Sequence, residues 1–226
     1  MATAYILSEV NPKFDFDFML KHSRKNCHVK GLNSVVFGEI ETGGLLRFFI
    51  AQPGHGLYRN SGDPLSKDLT LGFHGHHRDI GMIMLDGTVT NRTATVERSG
   101  NKSQAIRTWN YESPLNGKSG KFTEVKEPRF VNKVVDRSMR PLENQDANGF
   151  NLLLRGKETH TVSVEKGKRA CWAIVELDRS PGYQPHCHSN ADLSKWTSSG
   201  LYIPYEAEEL FMDVDYIITL IDELYG

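Results

Sequence analysis

Cysteine is scarce in this chain. There are three in 226 residues, Cys27, Cys171 and Cys187. An odd number of widely spaced thiols excludes a disulfide-stapled scaffold and suits a reducing compartment. Long apolar runs are missing as well, so no segment reads as a membrane-spanning helix. Met1–Phe18 lacks the basic start, apolar stretch and small-residue cleavage site of a signal peptide. Nor is there an excess of charge of either sign. Lys and Arg number 27 against 28 Asp and Glu, a net charge of −1, which gives no global attraction to nucleic acid or to an anionic membrane. Internal repeats and low-complexity tracts are likewise lacking. These absences leave a soluble, intracellular protein, expected in the cytoplasm, with residues 1–226 forming a single domain. The chain is long enough to bury most of its apolar surface without disulfides.

The chain does have many short β-like segments punctuated by glycine, asparagine and aspartate. Val35–Glu41 and Leu45–Ala51 flank Thr-Gly-Gly as a hairpin. Leu69–Phe73 and Ile80–Leu85 flank a cluster of histidines, and Asp86-Gly87 signals a turn. Thr88–Arg98, Gln104–Tyr111, Phe150–Leu154, His160–Val164 and Ala170–Leu177 read as further strands. Such spacing predicts a mainly β sandwich or barrel. Asn11–His22 fits a short helix or an extended entry. Ser113–Leu142 is polar and basic with few strand signals, and reads as an insertion or long loop. Within 204–226, Leu210, Val214, Ile217, Ile218, Ile221 and Leu224 form an apolar stripe behind an acidic first turn, which predicts an amphipathic C-terminal helix.

Two stretches carry chemistry. In Gly72-Phe-His-Gly-His-His-Arg-Asp79, an extended backbone would put His77 and Asp79 on one face. In His160-Thr-Val-Ser-Val-Glu-Lys-Gly-Lys-Arg169, His160, Val162 and Val164 alternate with Thr161 and Ser163, as on a half-buried strand. Lys166-Gly167 makes a tight turn, and Arg169 then shares a face with Cys171, Ala173 and Val175. Two histidines and one carboxylate on one side of a metal, with positions left open, is how non-haem Fe(II) oxygenases hold iron. A buried guanidinium needs an anion, and a carboxylate suits its planar fork.

In these residues the chain resembles the Fe(II)/2-oxoglutarate-dependent oxygenases. Asp79-Ile-Gly-Met-Ile-Met-Leu is similar to the apolar strand that follows their His-x-Asp, and Gly149-Phe-Asn-Leu-Leu-Leu to the strand preceding their distal histidine. The likeness spans roughly residues 69–178. It implies a double-stranded β-helix, of the jelly-roll or cupin kind, with its core over 35–178. It implies Fe(II) held by His77, Asp79 and His160, with 2-oxoglutarate held at its far carboxylate by Arg169. The activity it implies is a dioxygenase, expected to hydroxylate a protein side chain, a nucleobase or a small metabolite with release of succinate and CO2. The pattern departs from the family in having no evident Gly-Gly-x-Leu segment between the halves and no family counterpart for 113–142.

Other readings stay open. His74-Gly-His76 resembles the His-x-His of cupin metal proteins, although Ile80 and Gly81 stand where a glutamate is wanted. A cupin-type metalloprotein acting without 2-oxoglutarate is therefore the runner-up. The basic residues over 118–140, with Phe122 and Phe130 interleaved, could contact phosphates in a non-catalytic binding module, although a solvated loop is the plainer reading. Pro185-His186-Cys187-His188 has no second Cys/His pair at zinc-site spacing and reads as an unliganded loop. Tyr58 and Asn60 are candidate substrate contacts.

Overall fold

A computed structural model describes residues 15–28, 30–41, 43–53, 72–112, 120–147, 149–155, 158–165, 167–179, 186–196 and 199–226. Tyr58 and Asn60 lie outside the described residues. The protein is mainly β, and the described residues form two sheets and two α-helices. The first element among the described residues is helix α1 (Phe16–His22), N-capped by the Asp15 carboxylate, which accepts from the Phe18 N–H. Strands follow in the order β1 (Arg24–Lys25), β2 (Leu32–Glu39), β3 (Leu45–Ala51), β4 (Phe73–His74), β5 (Arg78–Asp86), β6 (Val89–Glu97) and β7 (Ala105–Tyr111). The remainder are β8 (Phe122–Met139), β9 (Leu152–Leu154), β10 (Thr159–Val164), β11 (Ala170–Arg179), β12 (Cys187–His188) and β13 (Ile203–Pro204), before helix α2 (Ala207–Tyr225). No helix among the described residues is long and apolar enough to cross a membrane.

One sheet runs β13-β1-β2-β3-β11-β5-β9, and the other six strands close into a ring, β10-β4-β12-β7-β8-β6. Strand alternation divides the first sheet into two buried faces. Phe48, Ile50, Ile83, Leu85, Cys171, Ala173 and Val175 pack under α2 through Leu210, Val214, Ile217 and Ile221. The alternate residues Phe49, Ala51, Met82, Met84, Trp172 and Ile174 face the second sheet and meet Val89, Met139 and Val164. The apolar runs of β5 and β11 thus reflect burial on both sides, which is why they read as near-continuous hydrophobic stretches. Helix α2 begins with a capping box between Glu206 and Glu209, which satisfies amides that have no partner inside the helix.

The segment expected as an insertion or loop turns out differently. Residues 122–139 form β8, 18 residues long, paired with β7 along its first part and β6 along its second. Its side chains are mostly exposed, so the apolar alternation that marks a strand is missing. Backbone pairing on both edges sets the conformation instead. Its charges are paired across strands or along β8 itself: Arg107 on β7 meets Glu124, Arg92 on β6 meets Asp136, and Arg129 meets Glu127 within the strand. Like amounts of both signs leave no uniform basic face.

Candidate metal centre

Register decides which side chains meet. On β10, His160 is the direct partner of His74 on β4 and of Thr93 on β6. Paired residues point to the same side, so His74 and His160 both face the space between the sheets, as Val162 and Val164 do. Gly75 then lets the chain leave β4 so that His76 folds back over the same space. The three rings lie 4.7–5.1 Å apart between centroids, and one ligating nitrogen from each falls within 4.8 Å of the others. The Nε2 atoms of His76 and His160 are 2.8 Å apart.

His160 is 2% exposed, and its Nδ1 donates to Asn91 Oδ1 at 2.7 Å. Asn91, itself fully buried on β6, thereby fixes the tautomer and leaves the Nε2 lone pair turned toward His74 and His76. Burial holds His160 and His76 well below the ordinary imidazole range, and repulsion from His74 adds to it for both. Burial lowers His74 too, and its Nδ1 is enclosed with no hydrogen-bond partner among the described residues. With its Nδ1–H donating to Asn91, His160 accepts at Nε2 from the His76 Nε2–H. A shift of that proton to the His76 Nδ1 would free the lone pair for a cation with no net loss of protons. The donor set fits a divalent transition metal. At a metal–nitrogen length of about 2.05 Å, cis ligands of an octahedral site stand about 2.9 Å apart and tetrahedral ones about 3.3 Å. The 2.8 Å separation of His76 and His160 is a hydrogen-bond length and short enough for one ion to bridge both.

A fourth histidine stands beside the trio. His28, at φ 69°, has its ring centroid 6.4 Å from that of His74. Its Nδ1 is hydrogen-bonded to the Tyr202 hydroxyl at 2.8 Å, which is bonded in turn to the Tyr111 hydroxyl. Burial drives His28 down to about 3, with the repulsion of His74 and Arg47 adding.

Of the four residues expected to bind iron and 2-oxoglutarate, only His160 stands in this cluster. His77 is exposed in a bend ahead of β5. Asp79 shares its face of β5 with Ile83 and Leu85, which belong to the helix-covered core, and it pairs with Arg155 Nη1 at 2.9 Å. By the alternation of β5, the Asp79 face is the one turned from the histidines, while His77 precedes the strand. Arg169 follows the same parity on β11. It sits with Cys171, Ala173 and Val175 on the α2 side, its guanidinium 3.6 Å over the Tyr216 ring. The structure therefore does not bring His77, Asp79 and Arg169 to His160.

The residues that replace them left traces in the sequence. His74-Gly-His76 was weighed as a cupin signature. Asn91 is an amide in the middle of a β-branched run, on the inward parity of Val89, and such a residue weakens a strand unless a partner holds it. His186 and His188 alternate with Cys187 and so turn away from the cluster. His188 is bonded to Thr108 and His186 to Asn110, and the stretch expected as a loop includes the short strand β12. Comparison with known proteins adds no family assignment: no family model matches the chain, and no curated protein is similar to it.

Proposed function

We propose that this protein is a mononuclear metal-dependent enzyme of the cupin kind, acting on a small molecule without 2-oxoglutarate. The observation that carries this reading is the convergence of three neutral histidines, His160 buried and His74 and His76 half-buried, with His160 oriented by a buried asparagine. His74, His76 and His160 would hold the ion. The ion expected there is a divalent transition metal, with Fe(II) among those that imidazole nitrogen suits. The two facing sheets accord with a double-stranded β-helix. Bound there, the metal would supply Lewis-acid activation and, as iron, access to dioxygen chemistry. The chain's own part is to orient and to exclude water. Asn91 holds the His160 ring, and Phe49, Met82, Met84 and Trp172 keep the adjoining interior dry. The Tyr111–Tyr202–His28 hydrogen-bond chain can carry a proton to the edge of the site. Burial raises both tyrosines, so they stay protonated at neutral pH.

A 2-oxoglutarate enzyme would need Asp79 and Arg169 on the inner face, and both lie on the other one. The separating experiment is metal analysis with an anaerobic Fe(II) titration of the wild type and four variants. One ion per chain is expected, lost in His74→Ala and His160→Ala and kept in His77→Ala and Asp79→Ala. No succinate should be released from 2-oxoglutarate. Metal binding that depends on Asp79 and ignores His74 would reject the assignment.

A further inference from the structure

The space beside the three histidines contains a cation that the metal reading does not use. Arg47 stands on β3 with the parity of Phe49 and Ala51, which face the second sheet. Its guanidinium carbon lies 5.9 Å from the Phe49 ring centre, so the side chain runs inward along that face. Register places it at the histidine end of the sheet. Ile174 on β11 is opposite both Arg47 and Met82, and Glu176 is opposite Ile80, at the start of the strand that His76 and His77 lead into.

Arg47 is poorly matched in its own protein. Its side chain is 16% exposed, and its one ion pair, to Glu176, spans 3.9 Å, too long for a hydrogen bond. Its Nε is enclosed without a partner among the described residues. A buried guanidinium left this way is costly, whereas one that is filled by an anion on binding is not. Two more donors on the inner walls are also unpartnered: Trp172 Nε1, on a ring stacked 5.6 Å from Phe49, and Asn91 Nδ2. Three orphaned N–H donors call for a ligand rich in acceptors. A dication on three neutral imidazoles, with Arg47 beside it, adds a need for negative charge. A single guanidinium fork amid Phe49, Trp172, Met82 and Ile174 matches a carboxylate on an apolar body better than a phosphate dianion, which draws on several charged donors.

We propose that Arg47 anchors the carboxylate of a small organic acid whose body lies along Phe49 and Trp172 and whose other end reaches the His74–His76–His160 centre. This rests on the metal reading above and names the substrate class for that site. Selectivity then comes from Arg47, and reaction from the metal end.

The test is calorimetric titration of benzoate, butyrate and inorganic phosphate into the wild type, Arg47→Gln and Arg47→Lys, each metal-free and Co(II)-loaded. Co(II) affinity is measured separately in all three proteins, and their melting temperatures check folding. One or both carboxylates should bind the wild type more tightly than phosphate. Arg47→Gln should weaken that binding about 10-fold or more while Co(II) affinity stays put, and Arg47→Lys should restore part of it, since lysine keeps the charge but not the fork. Carboxylate binding that is equal in wild type and Arg47→Gln overturns the proposal, as does a preference for phosphate or no carboxylate binding at millimolar concentration. Loss of Co(II) binding in the wild type would instead reject the metal centre. If Arg47→Gln melts far below the wild type, Arg47→Lys decides: a fully folded lysine variant with undiminished carboxylate affinity is equally fatal.

Discussion

Replacing Asn91 probes the metal centre without touching a ligand. Its Oδ1 takes the His160 Nδ1 proton at 2.7 Å, in a position with no exposure. Leucine at 91 is near in volume and makes no such bond. The imidazole then loses both its tautomer lock and its ring orientation, and outer partners of metal-bound histidines are worth about 10- to 100-fold in affinity. That is about 1.4–2.7 kcal/mol. The fold itself should suffer less than usual for a buried amide, because Asn91 Nδ2 is already unpartnered and leucine removes that unmet donor. Asn91→Asp works the other way. Its carboxylate accepts the same proton and strengthens the ligand, but it buries a charge that only the metal offsets. The expected pattern is weaker Co(II) or Fe(II) binding in Asn91→Leu with a melting point near wild type. Asn91→Asp should be less stable metal-free and recover when loaded. Titration calorimetry and thermal melts with and without chelator read both. If Asn91→Leu bound metal within about twofold of wild type, the role given to this bond, and the tautomer assigned to His160, would be wrong.

Acid should unfold the metal-free protein early. His28 is lowered to about 3 and His188 to about 4, both chiefly by burial. The unfolded chain binds more protons than the folded one between those values and about 6.5, so stability is full above that range and falls as pH drops through it. At pH 5 each costs about 2 kcal/mol relative to pH 8, a loss that urea titrations across this range would measure. His28→Gln should flatten the slope by up to one proton, and an unchanged slope would refute the burial argument. At Gly81 a Cβ would come within 2.3–2.6 Å of the Phe150 ring. Gly81→Ala should therefore destabilise by about 1–3 kcal/mol in a urea melt, and a neutral result would mean that Phe150 can yield.

Much of the framework is local. Strands at 89–97, 105–111, 159–164 and 170–179 and the helix at 207–225 were legible because alternation and the 3.6-residue stripe are properties of neighbours in sequence. His160 was legible for the same reason: its alternation with Val162 and Val164 marked it as inward. β8 was not, since an exposed strand held by its two neighbours carries no apolar rhythm of its own.

What the sequence could not settle was which of two buried faces a residue belongs to. Asp79 falls on one parity of β5, and Arg169 lies on the side of Cys171 and Ala173. But β5 and β11 are apolar on both sides, so nothing local tells the side under α2 from the side facing the second sheet. A strand's parity is sequence, and its facing is packing. Only the docking of α2 on one face and of the ring of strands on the other turned His77, Asp79 and Arg169 away and brought His74, His76, Asn91 and Arg47 toward His160.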